Sequence, residues 1–281
     1  MGVKILTDSS SDYEQNEIRE KDILFVPIMV SFEEEHYYDG VDIDKDTFYD
    51  KLLNTDIFPK TAQPAPREFL KHFHEAKEAG DDIIAILLSS GLSGTVQSAN
   101  IAKQIADYDN IFIIDSVHAV TGVRLLVDTA VKLRDEGLSG KEINKELSYL
   151  VTKLRSVVMV DTLEYLHKGG RLTKAQATLG EAVNMKPIIS IDSEGKLFMK
   201  DKSLGKARAY KKMVKEYQKI DRDINYPAYF PYSNEKENCE ELIKKLKSID
   251  ENINENDIYN IGPTIGAHLG SGTFGFTVVE K

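Results

Sequence analysis

The chain has 281 residues, is 41% hydrophobic and 29% charged, and contains no tryptophan, which suits a globular protein long enough for two cores. A formal net charge of −10 argues against a general nucleic-acid binder, whose affinity rests on neutralising phosphates. The single cysteine, Cys239, excludes an internal disulfide and a cysteine-based zinc site. No apolar run approaches the roughly 18 residues of a membrane span.

The first stretch, "MGVKILTDSSSDYEQ", lacks the basic region and long apolar core of a signal peptide, so a cytoplasmic protein is expected. Three apolar runs in the first half predict buried parallel strands: "VKILTDSS" from Val3, "IIAILLSS" from Ile83 and "IFIIDS" from Ile111. A fourth, "ILFVPIMVSF" from Ile23, carries Pro27 and is expected at an edge or a bend. Helical periodicity covers Pro66 to Ala79, Thr95 to Tyr108, Ala119 to Glu136 and Ser139 to Leu154. The last opens on a capping box, Ser139 with Glu142. Alternating strand and helix implies βαβ units.

After Ser156 the pattern changes to six short strand-like runs, with helices expected over Ser203 to Ile220 and Asn234 to Ile249. "DSEG", Asp192 to Gly195, reads as a hairpin turn. In "GTFGFTVVE", Phe274, Phe276 and Val278 share one face while Gly275 and Thr277 share the other. Two α/β domains follow, residues 1–155 and 156–281: an N-terminal, mostly parallel sheet flanked by helices, then a mixed α/β domain, with a ligand cleft between.

Chemistry concentrates where the second strand meets its helix, at "SSGLSGTVQSA". A nucleophile elbow needs Gly-x-Ser-x-Gly, but Gly94 directly follows Ser93 here. Walker A is absent, and the Gly-x-Gly-x-x-Gly at Gly270, Gly272 and Gly275 precedes a strand with no helix after it, the reverse of dinucleotide-binding order. Two readings stay open at this corner. Amides and hydroxyls of Ser93, Gly94 and Thr95 can hold an anion at a helix N-terminus, or Ser93 or Thr95 can simply cap the helix. "PKTAQPAP", Pro59 to Pro66, reads as a rigid loop offering Thr61 and Gln63 as donors. "NIGPTIGAHLGSG" surrounds His268 with glycines, Gly266 among them, which suggests close backbone approach. His72 and His74 fall on different helix faces, and His36, His118 and His167 lack ligand-spaced partners, so no metal site is expected.

Together "TDSSSD", "PKTAQPAP", "SSGLSGTVQSA", "IIDSVHAVTG", "LEYLHKGGRL" and "IGPTIGAHLGSG" resemble, in order and spacing over nearly the whole chain, the DegV-type fatty-acid-binding proteins. The resemblance implies a DegV-like fold of two α/β domains holding a long-chain fatty acid. It further implies a lipid-binding subunit, FakB-like, which presents the carboxylate to a partner fatty acid kinase and performs no chemistry itself. The resulting acyl phosphate feeds phospholipid synthesis, and no cofactor is implied. By the same resemblance the carboxylate falls to Thr61, Ser93 and His268, with Gln63, Gly94, Thr95 and Gly266 supporting. Where the family usually has serine after the threonine, this chain has Ala62. The basic tip of "LHKGGRL", with Arg171, together with Lys202 and Arg208, is expected to dock the kinase. Two alternatives remain. One is a serine hydrolase acting on acyl substrates through Ser93 and His268. The other is a transcriptional regulator, which the acidic balance and the missing helix-turn-helix signature disfavour.

Overall fold

The computed structural model describes residues 2–172 and 184–281. Strands β1 (Val3–Asp8), β2 (Ile23–Val26), β6 (Asp82–Leu87) and β7 (Ile111–Asp115) form a parallel sheet in the order β2-β1-β6-β7. Helices α3 (Pro66–Ala79) and α4 (Thr95–Ala106) bury Phe69, Phe73, Ala99 and Ala102 against one face. Helices α5 (Thr121–Asp135) and α6 (Gly140–Lys153) bury Leu126, Val127, Leu147 and Leu150 against the other. Local chemistry sets these boundaries. Pro66 opens α3 and Gly80, at φ 70°, closes it; the Ser139–Glu142 box starts α6.

The "ILFVPIMVSF" run becomes two strands in two sheets. Pro27 ends β2, and β3 (Met29–Phe32) joins a separate three-stranded sheet with β4 (Glu35–Tyr38) and β5 (Lys60–Ala62). The threonine-bearing segment is therefore strand β5 paired to β3, rather than the loop expected from its prolines. Helices α1 (Gln15–Glu20) and α2 (Lys45–Leu53) complete this half.

The second sheet runs β10-β9-β8-β13-β11-β12, with β8 (Leu154–Met159), β9 (Met185–Ile191), β10 (Leu197–Leu204), β11 (Phe230–Tyr232), β12 (Ile258–Asn260) and β13 (Phe274–Val279). One face packs Val157, Met159, Phe274 and Phe276 under α8 (Lys206–Gln218) and α9 (Lys236–Lys247). The opposite face looks toward the C-terminal ends of the parallel strands. Short α7 (Glu164–Lys168) follows β8, and α10 (Pro263–Leu269) precedes β13. The glycine-rich stretch around His268 is thus a helix. Gly266 allows it, because a Cβ there would stand 2.8 Å from Phe48 Cε1 and from Tyr49 Oη on α2. Among the described residues no helix is long and apolar enough to cross a membrane.

Candidate functional site

A cavity of about 370 Å³ lies between the C-terminal ends of β2, β6 and β7 and the open face of the second sheet, where ligands of parallel α/β sheets bind. Its wall is largely aliphatic, with Ile28, Leu88, Val158, Ile189, Ile261 and Ile265 among the lining residues. One group of polar residues gathers at one end. Thr61, Gln63, Ser93, Gly94, Arg171 and His268 all line it, although they come from β5, the β6–α4 corner, the turn after α7, and α10.

Thr61 Oγ1 and His268 Nε2 are 2.8 Å apart. Burial, aided by the positive charge of Arg171, pulls the His268 pKa down to about 4, so the ring is neutral at physiological pH. A neutral ring that donates from Nε2 to Thr61 leaves the threonine proton free for an acceptor in the cavity. Nδ1 has no hydrogen-bond partner among the described residues, and a Cβ on Gly169 would stand 2.9 Å from Cε1 of the same ring. Ser93 Oγ lies 2.8 Å from Thr95 Oγ1. Gly94 is the N-cap of α4 and no side chain caps the helix, so neither Ser93 nor Thr95 fills that role and the first-turn amides stay free to donate. Gln63 lies across Gly94, where a Cβ would meet its Nε2 at 2.8 Å, and it donates to Ser98 Oγ at 2.9 Å.

Thr95 and Gly266 sit behind the cavity and do not line it. Arg171 differs from the exposed basic tip expected of "LHKGGRL". Its Nε donates to Leu92 O at 3.0 Å, its guanidinium is half-buried, and it lines the cavity. The glycines beside it explain the difference. Gly170 takes φ 74° to turn the chain inward, and Gly169 makes room for the imidazole. Lys202 and Arg208 are exposed, and among the described residues neither pairs with a carboxylate within 4.0 Å. The hydrolase arrangement is not formed: His268 Nε2 engages Thr61 rather than Ser93, and no acid among the described residues accepts from Nδ1.

Sequence reasoning missed what holds α10 in place. Asp12 Oδ1 accepts from Gly262 N at 2.9 Å, and Asp39 Oδ2 accepts from Thr264 N at 2.9 Å. Ser9 Oγ lies 2.9 Å from Thr264 Oγ1, and Asp8 accepts from Leu88 N at 2.8 Å. The "TDSSSD" stretch is therefore a clamp on the helix that carries His268. Burial, aided by the neighbouring Asp39 carboxylate, pushes Asp12 up to about 8; burial pushes Asp39 up to about 6.

The family model for DegV, described as uncharacterised proteins, matches residues 2–281. The chain belongs to the DegV family. A DegV domain-containing protein of Clostridium acetobutylicum is 33% identical over 99% of each chain. Among solved structures, a fatty-acid-binding DegV protein of Thermus thermophilus superposes with a TM-score of 0.88 at 30% identity, covering 100% of both chains. A stearic-acid-binding protein of Eubacterium ventriosum gives 0.86 at 28%, covering 100% of this chain and 99% of that one. The Streptococcus pneumoniae fatty acid kinase (Fak) B3 protein, solved with linoleic acid, shares the fold at a TM-score of 0.86 and 23% identity, covering 100% of both chains.

Proposed function

We propose that this DegV protein binds a long-chain fatty acid in the cavity and presents its carboxylate to a partner fatty acid kinase. One observation carries the reading: Thr61, Ser93 and His268, from three distant segments, converge with Arg171 at one end of a cavity whose wall is largely aliphatic. The fatty acids bound by the Thermus and Eubacterium relatives support the ligand class. The carboxylate accepts hydrogen bonds from the hydroxyls of Thr61 and Ser93 and from amides at the start of α4, with Arg171 supplying the counter-charge. Burying about fifteen methylenes at ~0.8 kcal/mol each contributes roughly 12 kcal/mol before ordering costs, so the tail supplies affinity and the head group fixes orientation.

The kinase supplies the phosphoryl donor and its metal. Exposed Lys202 and Arg208 dock that partner, while Arg171 acts at the head group. A cytoplasmic location, a feed into phospholipid synthesis and the division at residues 155/156 belong to the same reading. The test is extraction of the denatured protein, followed by a phosphorylation assay with kinase and ATP. Free fatty acid should be released, and Ser93→Ala should lower acyl phosphate formation more than it lowers binding. Absence of any saturable fatty acid binding, or equal phosphorylation rates for Ser93→Ala and wild type, overturns the reading.

A further inference from the structure

The aliphatic wall of the cavity ends in hydroxyls. Ser156 on β8 pairs in register with Thr277 on β13, and both line the cavity. Thr121, the first residue of α5, joins them: its Oγ1 lies 2.8 Å from Thr277 Oγ1, which lies 2.8 Å from Ser156 Oγ. This is the last rung of the β8–β13 ladder to face the cavity. The next on that face, Leu154 with Val279, belongs to the solid core under α5 and α6. The carboxylate region lies beyond the other end of the same strands, since β8 leads on to Leu166 and Arg171 and β13 follows His268 and Leu269. At ~3.3 Å per residue, three rungs set the hydroxyls about 10 Å inward from the Met159–Phe274 rung.

A proton count shows what this floor lacks. Three hydroxyls carry three protons, but the two hydrogen bonds that link them consume only two. One O–H donor is left without an acceptor among the described residues. Ser190 Oγ, nearby, donates to Ser156 O at 2.7 Å and makes no hydrogen bond to any of the three hydroxyls. Helix α5 also starts there without a side-chain cap. A donor facing an apolar channel keeps water as its partner until something displaces it. The terminal methyl of an acyl chain cannot accept a hydrogen bond.

We propose that Thr121, Ser156 and Thr277 form a polar floor that limits the length of acyl chain the cavity accepts. The proposal rests on the fatty-acid reading above. A chain that stops short leaves the floor hydrated, and each added methylene increases affinity. The first chain long enough to press its methyl on the floor strands the O–H and binds less well.

The test measures dissociation constants for saturated acids from decanoate to eicosanoate, by displacement of a fluorescent fatty acid. Wild type should gain affinity with length and then fall. In the triple variant Thr121→Val/Ser156→Ala/Thr277→Val, which removes all three hydroxyls at nearly constant shape, the first over-length acid should bind about tenfold more tightly than in wild type. Shorter acids should change little. A second measurement needs no variant: on wild type, the ω-hydroxy acid of that over-length chain should bind about tenfold better than its methyl-ended counterpart, because its oxygen accepts from the floor. A length profile that the triple variant leaves unchanged, or no preference for the ω-hydroxy acid, overturns the floor. If wild type binds no acid of any length, the fatty-acid reading itself fails.

Discussion

Gly169 offers the sharpest test of the head-group geometry. A Cβ added there would stand 2.9 Å from His268 Cε1, closer still to Nδ1, and 3.0 Å from Tyr165 O, whereas ordinary carbon contacts begin near 3.5 Å. Tyr165 O is backbone and cannot easily yield, so the ring must retreat by roughly 1 Å to restore contact distance. Such a shift stretches the 2.8 Å bond between Thr61 and His268 well past hydrogen-bond range. Thr61 then loses the partner that aims its hydroxyl at the carboxylate, and forfeiting that charge-assisted bond costs up to about 1.5–3 kcal/mol, roughly a 10- to 150-fold loss of affinity. Fatty acid titration of Gly169→Ala, followed by competition with a fluorescent analogue, measures this directly. Gly170→Ala is the control. It strains a residue at φ 74°, but its Cβ meets nothing within 4 Å, so it should lower the melting temperature and leave binding nearly intact. In a Thr61→Val background the Gly169 effect on binding should largely vanish, since the shared bond is already gone. Wild-type affinity in Gly169→Ala, or equal losses in both glycine variants, refutes the reasoning.

Two further outcomes follow from the buried charges. Asp12 has a folded pKa near 8 against an ordinary 3.8, so the fold favours its protonated form. That contribution is complete below 3.8 and disappears as pH rises through 8. The buried histidines His118 and His268, each near 4 in the fold against an ordinary 6.5, act in the opposite direction, but their effect above pH 6.5 is small and the same in both proteins. Between pH 6.5 and 8, urea denaturation of wild type should therefore lose about 2 kcal/mol that Asp12→Asn keeps, and parallel curves for the two proteins contradict this. Arg124, buried on α5, pairs with Glu17 and places its guanidinium 4.1 Å from the ring centroids of both Tyr13 and Tyr259. Arg124→Lys retains the charge and loses the planar stack, so it should cost about 1–2 kcal/mol in thermal or urea unfolding, and a neutral result rules out the stacking account.

Much of the scaffold was legible because burial writes itself into composition. The runs from Val3, Ile83 and Ile111 are apolar on both faces and became parallel strands covered on both sides. The Ser139 box and Pro66 marked helix starts through the donors they satisfy or lack. What escaped was set by tertiary contact. Helix α10 contains Gly266 for a close approach to Phe48 and Tyr49, so its sequence imitates a loop. Strand β5 is three residues long and exists through its pairing with β3. Thr277 was correctly separated from the phenylalanines of its strand, but its face opens on a cavity, and nothing in the sequence ties it to Thr121 and Ser156. Arg171 looked like a surface cation because the reason for its glycines, the imidazole of His268, lies 97 residues further along.

The clasp on α10 joins remote parts of the chain: 255 residues separate Ser9 from Thr264, and 207 separate Thr61 from His268. On the ribosome the parallel sheet and its helices emerge long before that helix does. A nascent chain can thus bury much of its first core before Thr61 and His268 meet, and contacts of such long range are the kind that slow folding. On the fatty-acid reading proposed above, lipid capture waits for the helix that carries His268.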